Sequence, residues 1–134
     1  MSDKNKAIVR RLIEEAQEAG NLSVVDEILA DDFVDHTPLP GLPPTRDGVR
    51  ILFGALRQAF PDLKVAIHEQ IAEDDRVMTR KSFIGTHRGE FLGIAGTGRP
   101  INFELIDILT FRDQKIVGHR VILDNLALRQ QLGA

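Results

Sequence analysis

The segment from Ile101 to Asp124 constrains the fold of this chain more than any other part. It contains two long strand patterns joined by a short polar turn at Asp113-Gln114. A two-residue connection between such patterns favours an antiparallel hairpin. Carboxylates stand among the large apolar residues of this hairpin, and a carboxylate that faces a core is costly unless it is paired or used. The segment therefore predicts both a sheet and a polar site within it.

The register of the hairpin follows from counting outward from the turn. If Arg112 pairs with Lys115, then Asp107 lies directly opposite Arg120, and Asp124 lies further along the same face. The bulkier apolar side chains of the first strand share this face, so we expect it to be the interior covered by helices. Asp107, Arg120 and Asp124 would then meet inside the protein.

The opposite face of the hairpin is also largely apolar, which is unusual for a sheet surface in water. We therefore expect a second subunit to cover it in a homodimer. His119 belongs to this outward face in the counted register, because its position and that of Asp124 differ by an odd number along the strand. A bulge near Gly118 would change that orientation.

Helical periodicity is confined mainly to the first 60 residues. An amphipathic pattern predicts a helix over residues 4–19, which Gly20 ends. A short helix follows with Ser23 as its cap, and Thr45 can cap a third helix that runs to about Phe60.

Strand patterns dominate the rest of the chain. The proline-rich loop 37–44 excludes a helix or a central strand, and residues 63–124 have the pattern of successive antiparallel strands. A last short helix is predicted over residues 125–132. Helices followed by a meander indicate an α+β fold, and the length predicts a single domain over residues 1–134.

Composition excludes several classes of function. With a net charge of -3, the chain has no broad basic surface for nucleic acid. Its apolar runs are too short to span a membrane, and its polar N-terminus does not resemble a secretory signal, so a cytoplasmic protein is expected. Cysteine is absent and the histidines lack short ligand spacing, so no metal or other cofactor is expected.

Short motifs along nearly the whole chain carry a family resemblance. They are Ala59-Phe-Pro-Asp62, Gly85-Thr-His-Arg-Gly-Glu-Phe91, Gly96-Thr-Gly-Arg99, Ile106-Asp-Ile108, and Lys115-Ile116 followed by His119 and Asp124. In this order and spacing they resemble the SnoaL-like polyketide cyclases, or ester cyclases, of the nuclear-transport-factor-2-like superfamily. The resemblance implies a cone-shaped α+β barrel in which a curved antiparallel sheet wraps the N-terminal helices and encloses a deep pocket.

The resemblance also implies a cofactor-independent enzyme that acts on a hydrophobic carbonyl compound. Family members include cyclases that close a ring by intramolecular aldol addition, with an aspartate near the end of the last long strand as acid and base. By position that aspartate is similar to Asp124. Asp124 also stands where a helix cap is expected, and Asp is a preferred cap. Both roles remain open at this point.

Five other residues are candidates for the pocket. Arg120 stands where the family often has Trp, so it makes one wall cationic, and its pairing with Asp107 would be either structural or substrate-orienting. His36, at the start of the proline-rich loop, and His87, at a strand end, would contact the ligand, or else be ordinary loop residues. Phe53 belongs to the core or to the pocket wall.

Two other functions remain open. One is a small-molecule binding protein with the same fold and no catalysis. The other is a hydrolase in which Asp107, Arg120 and Asp124 activate water, as in the branch of the superfamily that opens epoxides.

Overall fold

The computed structural model describes residues 2–133, which form helices packed against one curved, unclosed sheet. In chain order the elements are α1 Ser2–Arg11, a π-helical segment Leu12–Glu18, α2 Ser23–Ile28, β1 Leu29–Asp35, α3 Arg46–Ala59, β2 Lys64–Glu73, β3 Arg76–Thr86, β4 Pro100–Arg112, β5 Lys115–Leu123 and α4 Asn125–Leu132. The predicted α+β class with N-terminal helices is confirmed, although β1 lies between α2 and α3 in the chain.

The sheet has five strands in the order β1-β5-β4-β3-β2. Strands β2 to β5 form the predicted antiparallel meander. Strand β1 pairs with β5 in parallel, so the sheet is mixed rather than wholly antiparallel. This pairing brings the segment before the proline-rich loop alongside the end of the hairpin, and it sets the position of Asp35 described below.

The first predicted helix changes character along its length. Residues 12–18 are π-helical, and the Ala19 N–H donates to the Glu14 carbonyl at 3.2 Å. Leu12, Ile13 and Gln17 are buried on this wider segment. Helix and segment end before Gly20, whose φ of 80° suits glycine.

The two following helices begin differently from the prediction. Leu22, not Ser23, occupies the cap position of α2, and the Ser23 hydroxyl donates instead to the Asn21 side chain at 2.6 Å. Thr45 does precede α3, but its side chain makes no capping hydrogen bond. The apolar side of α3 is buried, including Phe53 and Leu56.

The hairpin has the predicted turn but not the predicted register. Arg112 pairs with Lys115, yet a bulge follows at once, because Phe111 pairs with Ile116 whereas Thr110 pairs with Gly118. Val117 is therefore an extra residue in β5. One extra residue turns every later side chain to the other face.

The predicted pairing of Asp107 with Arg120 is consequently wrong. Asp107 lies opposite Val121, and Arg120 lies opposite Ile108 on the outward face. His119 moves to the inner face instead. The inner face of β4 is as predicted, since Phe103, Leu105, Asp107, Leu109 and Phe111 are all buried.

The core lies between the helices and this inner face. Within the sheet, Phe83 and Phe103 meet edge to face with their ring centroids 5.5 Å apart. Among residues 2–133, no helix is both long enough and apolar enough to cross a membrane.

Candidate functional site

A cavity of about 490 Å³ opens between the helices and the inner face of the sheet. This volume is within the range of small-molecule sites. Its walls are mostly apolar and come from the π-helical segment, β1, α3, β3, β4, β5, α4 and loops. They include Leu12, Ile13, Leu29, Phe33, Leu39, Pro40, Val49, Leu52, Phe53, Leu56, Phe83, Phe91, Phe103, Leu105, Leu109, Val121 and Leu123. The proline-rich loop thus contributes to the wall through Leu39 and Pro40.

Four polar side chains cross the inner face of the sheet and line this cavity. They are Asp35 on β1, His119 on β5, Asp107 on β4 and Lys81 on β3. We call this set the polar row. Asp35 is in register with His119, while His119 lies opposite Leu109 and Lys81 opposite Leu105, each two positions from Asp107 along β4. The sheet therefore positions all four on rigid strands rather than loops.

Asp35 and His119 form the first half of the polar row. Asp35 Oδ1 lies 3.0 Å from His119 Nδ1. Burial raises the pKa of Asp35, but the hydrogen bond and charge of His119, with hydrogen bonds from Thr37, outweigh burial and leave that pKa below its ordinary value. Asp35 is thus ionised at neutral pH and only accepts, so His119 Nδ1 carries the proton of this hydrogen bond, and Nε2 is the nitrogen left unprotonated in the neutral form of the ring.

Asp107 and Lys81 form the second half. Lys81 Nζ lies 2.9 Å from Asp107 Oδ2, and both side chains are only 5% exposed. Lys81 Nζ also lies 5.7 Å from the centre of the Phe83 ring. The two halves meet at one atom, because His119 Nε2 is 4.0 Å from the same Asp107 Oδ2. That distance exceeds a hydrogen bond, so Nε2 remains available to a ligand.

Two buried oxygens on the cavity wall have no hydrogen-bond partner among residues 2–133. They are Asp107 Oδ1 and Gln17 Oε1. A buried acceptor without a donor is destabilising unless water or a ligand supplies one. Both atoms can therefore accept a hydrogen bond from a molecule inside the cavity.

Asp124 is placed outside this arrangement. Its carboxylate accepts the Ala127 N–H at 3.0 Å as the cap of α4, its residue is exposed, and it does not line the cavity. The expected position of Asp124 on the inner face is wrong, because β5 ends at Leu123 and the chain turns into the helix. Its catalytic role stays a prediction that this geometry does not favour.

Arg120 is also outside. The bulge at Val117 turns it to the outward face, away from Asp107, and it does not line the cavity. The cationic partner of Asp107 is Lys81 instead. The set of Asp107, Arg120 and Asp124 expected for a hydrolase is therefore not assembled.

The remaining candidates are divided between the cavity and other places. Phe53 lines the cavity wall, which is one of the two positions expected for it. His36 is exposed and does not line it. His87 is fully buried elsewhere, with its ring 5.7 Å from that of Phe60, and Thr97 N–H donates to its Nδ1 at 3.3 Å. His87 thus holds the glycine-rich connection before β4.

Sequence reasoning missed Lys81 and Asp35. A signal for Lys81 was present, since it falls on the same strand face as Val77 and Phe83 at a spacing of two residues. Asp35 follows Phe33 in the same way. Gln17 had a similar signal, because it stands four residues after the buried Ile13 on the same helical face.

The arrangement of the side chains does not favour a metal site. Within the described part of the chain, no group of three or more His, Asp or Glu side chains is arranged to hold a metal ion. The polar row instead has the composition of an acid–base site: a histidine oriented by a carboxylate beside a buried ion pair.

The fold and the cavity together define a class, namely a small α+β protein whose curved sheet encloses an apolar pocket with acid–base residues on one wall. The family model for SnoaL-like polyketide cyclases matches residues 7–132. The chain therefore belongs to the SnoaL-like polyketide cyclase family. No curated protein matches the sequence.

Solved structures of similar fold agree with this assignment. IdmH from Streptomyces antibioticus, provisionally a polyketide cyclase, is 31% identical, with 97% of this chain and 99% of that one covered and a TM-score of 0.82. TsrD from Streptomyces laurentii is 28% identical, with coverage of 96% and 97% and a TM-score of 0.85. AclR from Streptomyces galilaeus, provisionally a hydroxylase, is 28% identical, with coverage of 99% and 83% and a TM-score of 0.87.

Proposed function

We propose that the protein is a cofactor-independent enzyme that removes a proton next to the carbonyl group of a hydrophobic substrate. The resulting enolate attacks a second carbonyl group of the same molecule and closes a ring. His119 is the general base in this proposal, and Asp35 orients it. The similarity to IdmH supports this reaction class.

One observation carries the proposal: a histidine held by an ionised carboxylate faces an apolar cavity. Asp35 fixes the tautomer of His119, so that its basic Nε2 points into a space of about 490 Å³. In such a site a positioned base contributes roughly 10²–10⁴-fold to rate. The apolar walls select a hydrophobic substrate and limit the access of water.

Proton abstraction can be measured without knowing the product. A panel of polyketide, steroid and terpene ketones is incubated with the protein in deuterated water, and loss of the α-proton signals is followed by NMR. We expect catalysed exchange for at least one compound class, and a loss of roughly 10²–10⁴-fold in His119→Gln. His68→Gln is the matched control, because His68 is exposed and its Nε2 lies 2.7 Å from Ser82 Oγ, outside the cavity lining.

The outcomes separate the alternatives. Exchange that persists in His119→Gln within tenfold of the wild type contradicts the base assignment. Binding of a panel compound without any exchange favours a non-catalytic binding protein, and the function proposed here is then wrong. Circular dichroism of each variant distinguishes lost chemistry from lost folding.

We also propose a homodimer through the outward face of the sheet. Ile106 and Ile122 lie side by side there, and Ile122 is 82% exposed. Ile71, exposed on β2, and Arg120 extend the same surface. Exposed isoleucines on one sheet face, beside charged side chains such as Arg80 and Arg120, are compatible with a subunit interface. The cytoplasmic location and the absence of a cofactor stay predictions.

A further inference from the structure

We propose that Lys81 forms a covalent iminium bond with the carbonyl carbon of the substrate. This inference rests on the proposed function and deepens it, because it assigns the substrate class as aldehydes and ketones that condense with an amine. It also gives the buried ion pair a catalytic role beside His119.

The surroundings of Lys81 carry the inference. Its amine lines an apolar cavity, its side chain is 5% exposed, and its one ion-pair partner among residues 2–133 is Asp107. A desolvated lysine facing a hydrophobic pocket is a recognised nucleophile toward carbonyl compounds. Surface lysines such as Lys64 and Lys115 are exposed and lack this environment.

Asp107 is placed to move the protons that this condensation requires. Its Oδ2 contacts Lys81 Nζ at 2.9 Å, and its Oδ1 has no hydrogen-bond partner within the described residues although it is buried. One oxygen therefore reaches the amine while the other is free to reach the substrate oxygen. A carboxyl group in this position can take a proton from nitrogen and deliver it to oxygen.

The condensation moves two protons from nitrogen to oxygen through Asp107. Lys81 gives one proton to Asp107 and becomes a neutral amine, whose lone pair forms a bond to the carbonyl carbon. The carbon–oxygen π pair moves to oxygen, which Asp107 protonates. Asp107 then takes a second proton from nitrogen and delivers it to the hydroxyl group, which leaves as water. The products are a substrate iminium, one water molecule and ionised Asp107.

The iminium makes the neighbouring C–H bond more acidic, and His119 is close enough to use this. His119 Nε2 and Lys81 Nζ both lie within 4.0 Å of Asp107 Oδ2. A substrate bound to Lys81 therefore has its α-carbon near His119. Removal of the α-proton gives an enamine, which attacks the second carbonyl group as the enolate would.

Benzoylacetone, an apolar β-diketone, is a direct probe. A lysine amine condenses with it to an enaminone that adds the mass of the diketone minus one water. Full-length protein is incubated with the diketone, digested, and mapped by mass spectrometry at each lysine. We expect modification at Lys81 at least roughly tenfold faster than at Lys64 or Lys115.

Two variants sharpen the assignment. Lys81→Arg keeps a cation for Asp107 but has no amine, so the adduct at this position and the cyclisation activity should both disappear while the unfolding temperature stays near that of the wild type. Asp107→Asn keeps the amine but removes the proton carrier, so the rate of adduct formation at Lys81 should fall at least roughly tenfold.

The outcomes distinguish this inference from the proposed function. Modification of Lys81 no faster than of Lys64 overturns it, and so does full turnover in folded Lys81→Arg. If α-proton exchange still depends on His119 in that case, the proposed function stands without the covalent step. If neither exchange nor selective modification occurs, both proposals are wrong.

Discussion

The buried ion pair between Lys81 and Asp107 gives the sharpest test of how the cavity is built. Replacing Lys81 with Met removes the ammonium group but keeps a long apolar side chain of similar volume. Asp107 is then left 5% exposed with His119, at 4.0 Å, as the next basic group. A carboxylate in this position must lose its hydration without a close counter-charge.

The expected loss of stability is about 3–5 kcal/mol, the usual cost of removing one partner from a buried pair. That is a large share of the roughly 5–15 kcal/mol that stabilises a domain. With a urea slope of about 2 kcal/mol/M, the midpoint of unfolding at pH 7 should fall by roughly 2 M. Urea titration followed by circular dichroism measures it.

The double variant separates pairing from packing. Lys81→Met combined with Asp107→Leu removes both charges, so most of the lost stability should return. Arg80→Met is the matched control, since Arg80 is the adjacent residue and pairs with Glu69 and Glu104 on the exposed face, where a much smaller change is expected. A midpoint for Lys81→Met that equals that of Arg80→Met would refute the reasoning, because Asp107 would then be hydrated.

Three further outcomes follow from the site and the surface. Asp124→Asn should retain turnover and stability, because Asn also caps α4. Asp124→Ala should lose about 1 kcal/mol of unfolding free energy, measured in urea. A folded Asp124→Asn variant without turnover would restore the catalytic role of Asp124. The lowered pKa of Asp35 means that its ionised form stabilises the fold above the ordinary value of 3.8, and this contribution is lost as pH falls through the lower folded value. Acid titration of stability should therefore be steeper below about pH 4 in the wild type than in Asp35→Asn, and parallel curves would contradict it. Ile122→Glu should convert the proposed dimer to monomers in light scattering, with Leu126→Glu, at an exposed position of α4, as control; a monomeric wild type would remove the dimer proposal.

Much of the architecture was predictable because it depends on local patterns. The strand alternation of β4 placed Phe103, Leu105 and Asp107 on the buried face, and the structure agrees. The helix over residues 125–132 and the turn at Asp113-Gln114 were also predicted correctly. These features depend on periodicity and turn chemistry within a few residues, which a single sequence contains.

The identity of the residues that form the site was less predictable, because it depends on how the strands pair with one another. The bulge at Val117 had a local signal in the neighbouring Gly118, but the sequence did not show whether a bulge forms, and it exchanged Arg120 for His119 on the inner face. The parallel pairing of β1 with β5 brought Asp35 to His119 across 84 positions of sequence. Neither event follows from counting residues within the hairpin.

The bulge also bears on how such a pocket diversifies. A single extra residue decides which set of alternate side chains in β5 faces the cavity. Loss of one codon near Val117 would therefore replace the imidazole of His119 with the guanidinium of Arg120 while leaving the rest of the sheet in place. Insertions and deletions, rather than substitutions alone, are thus a short route by which one scaffold can exchange its reactive groups.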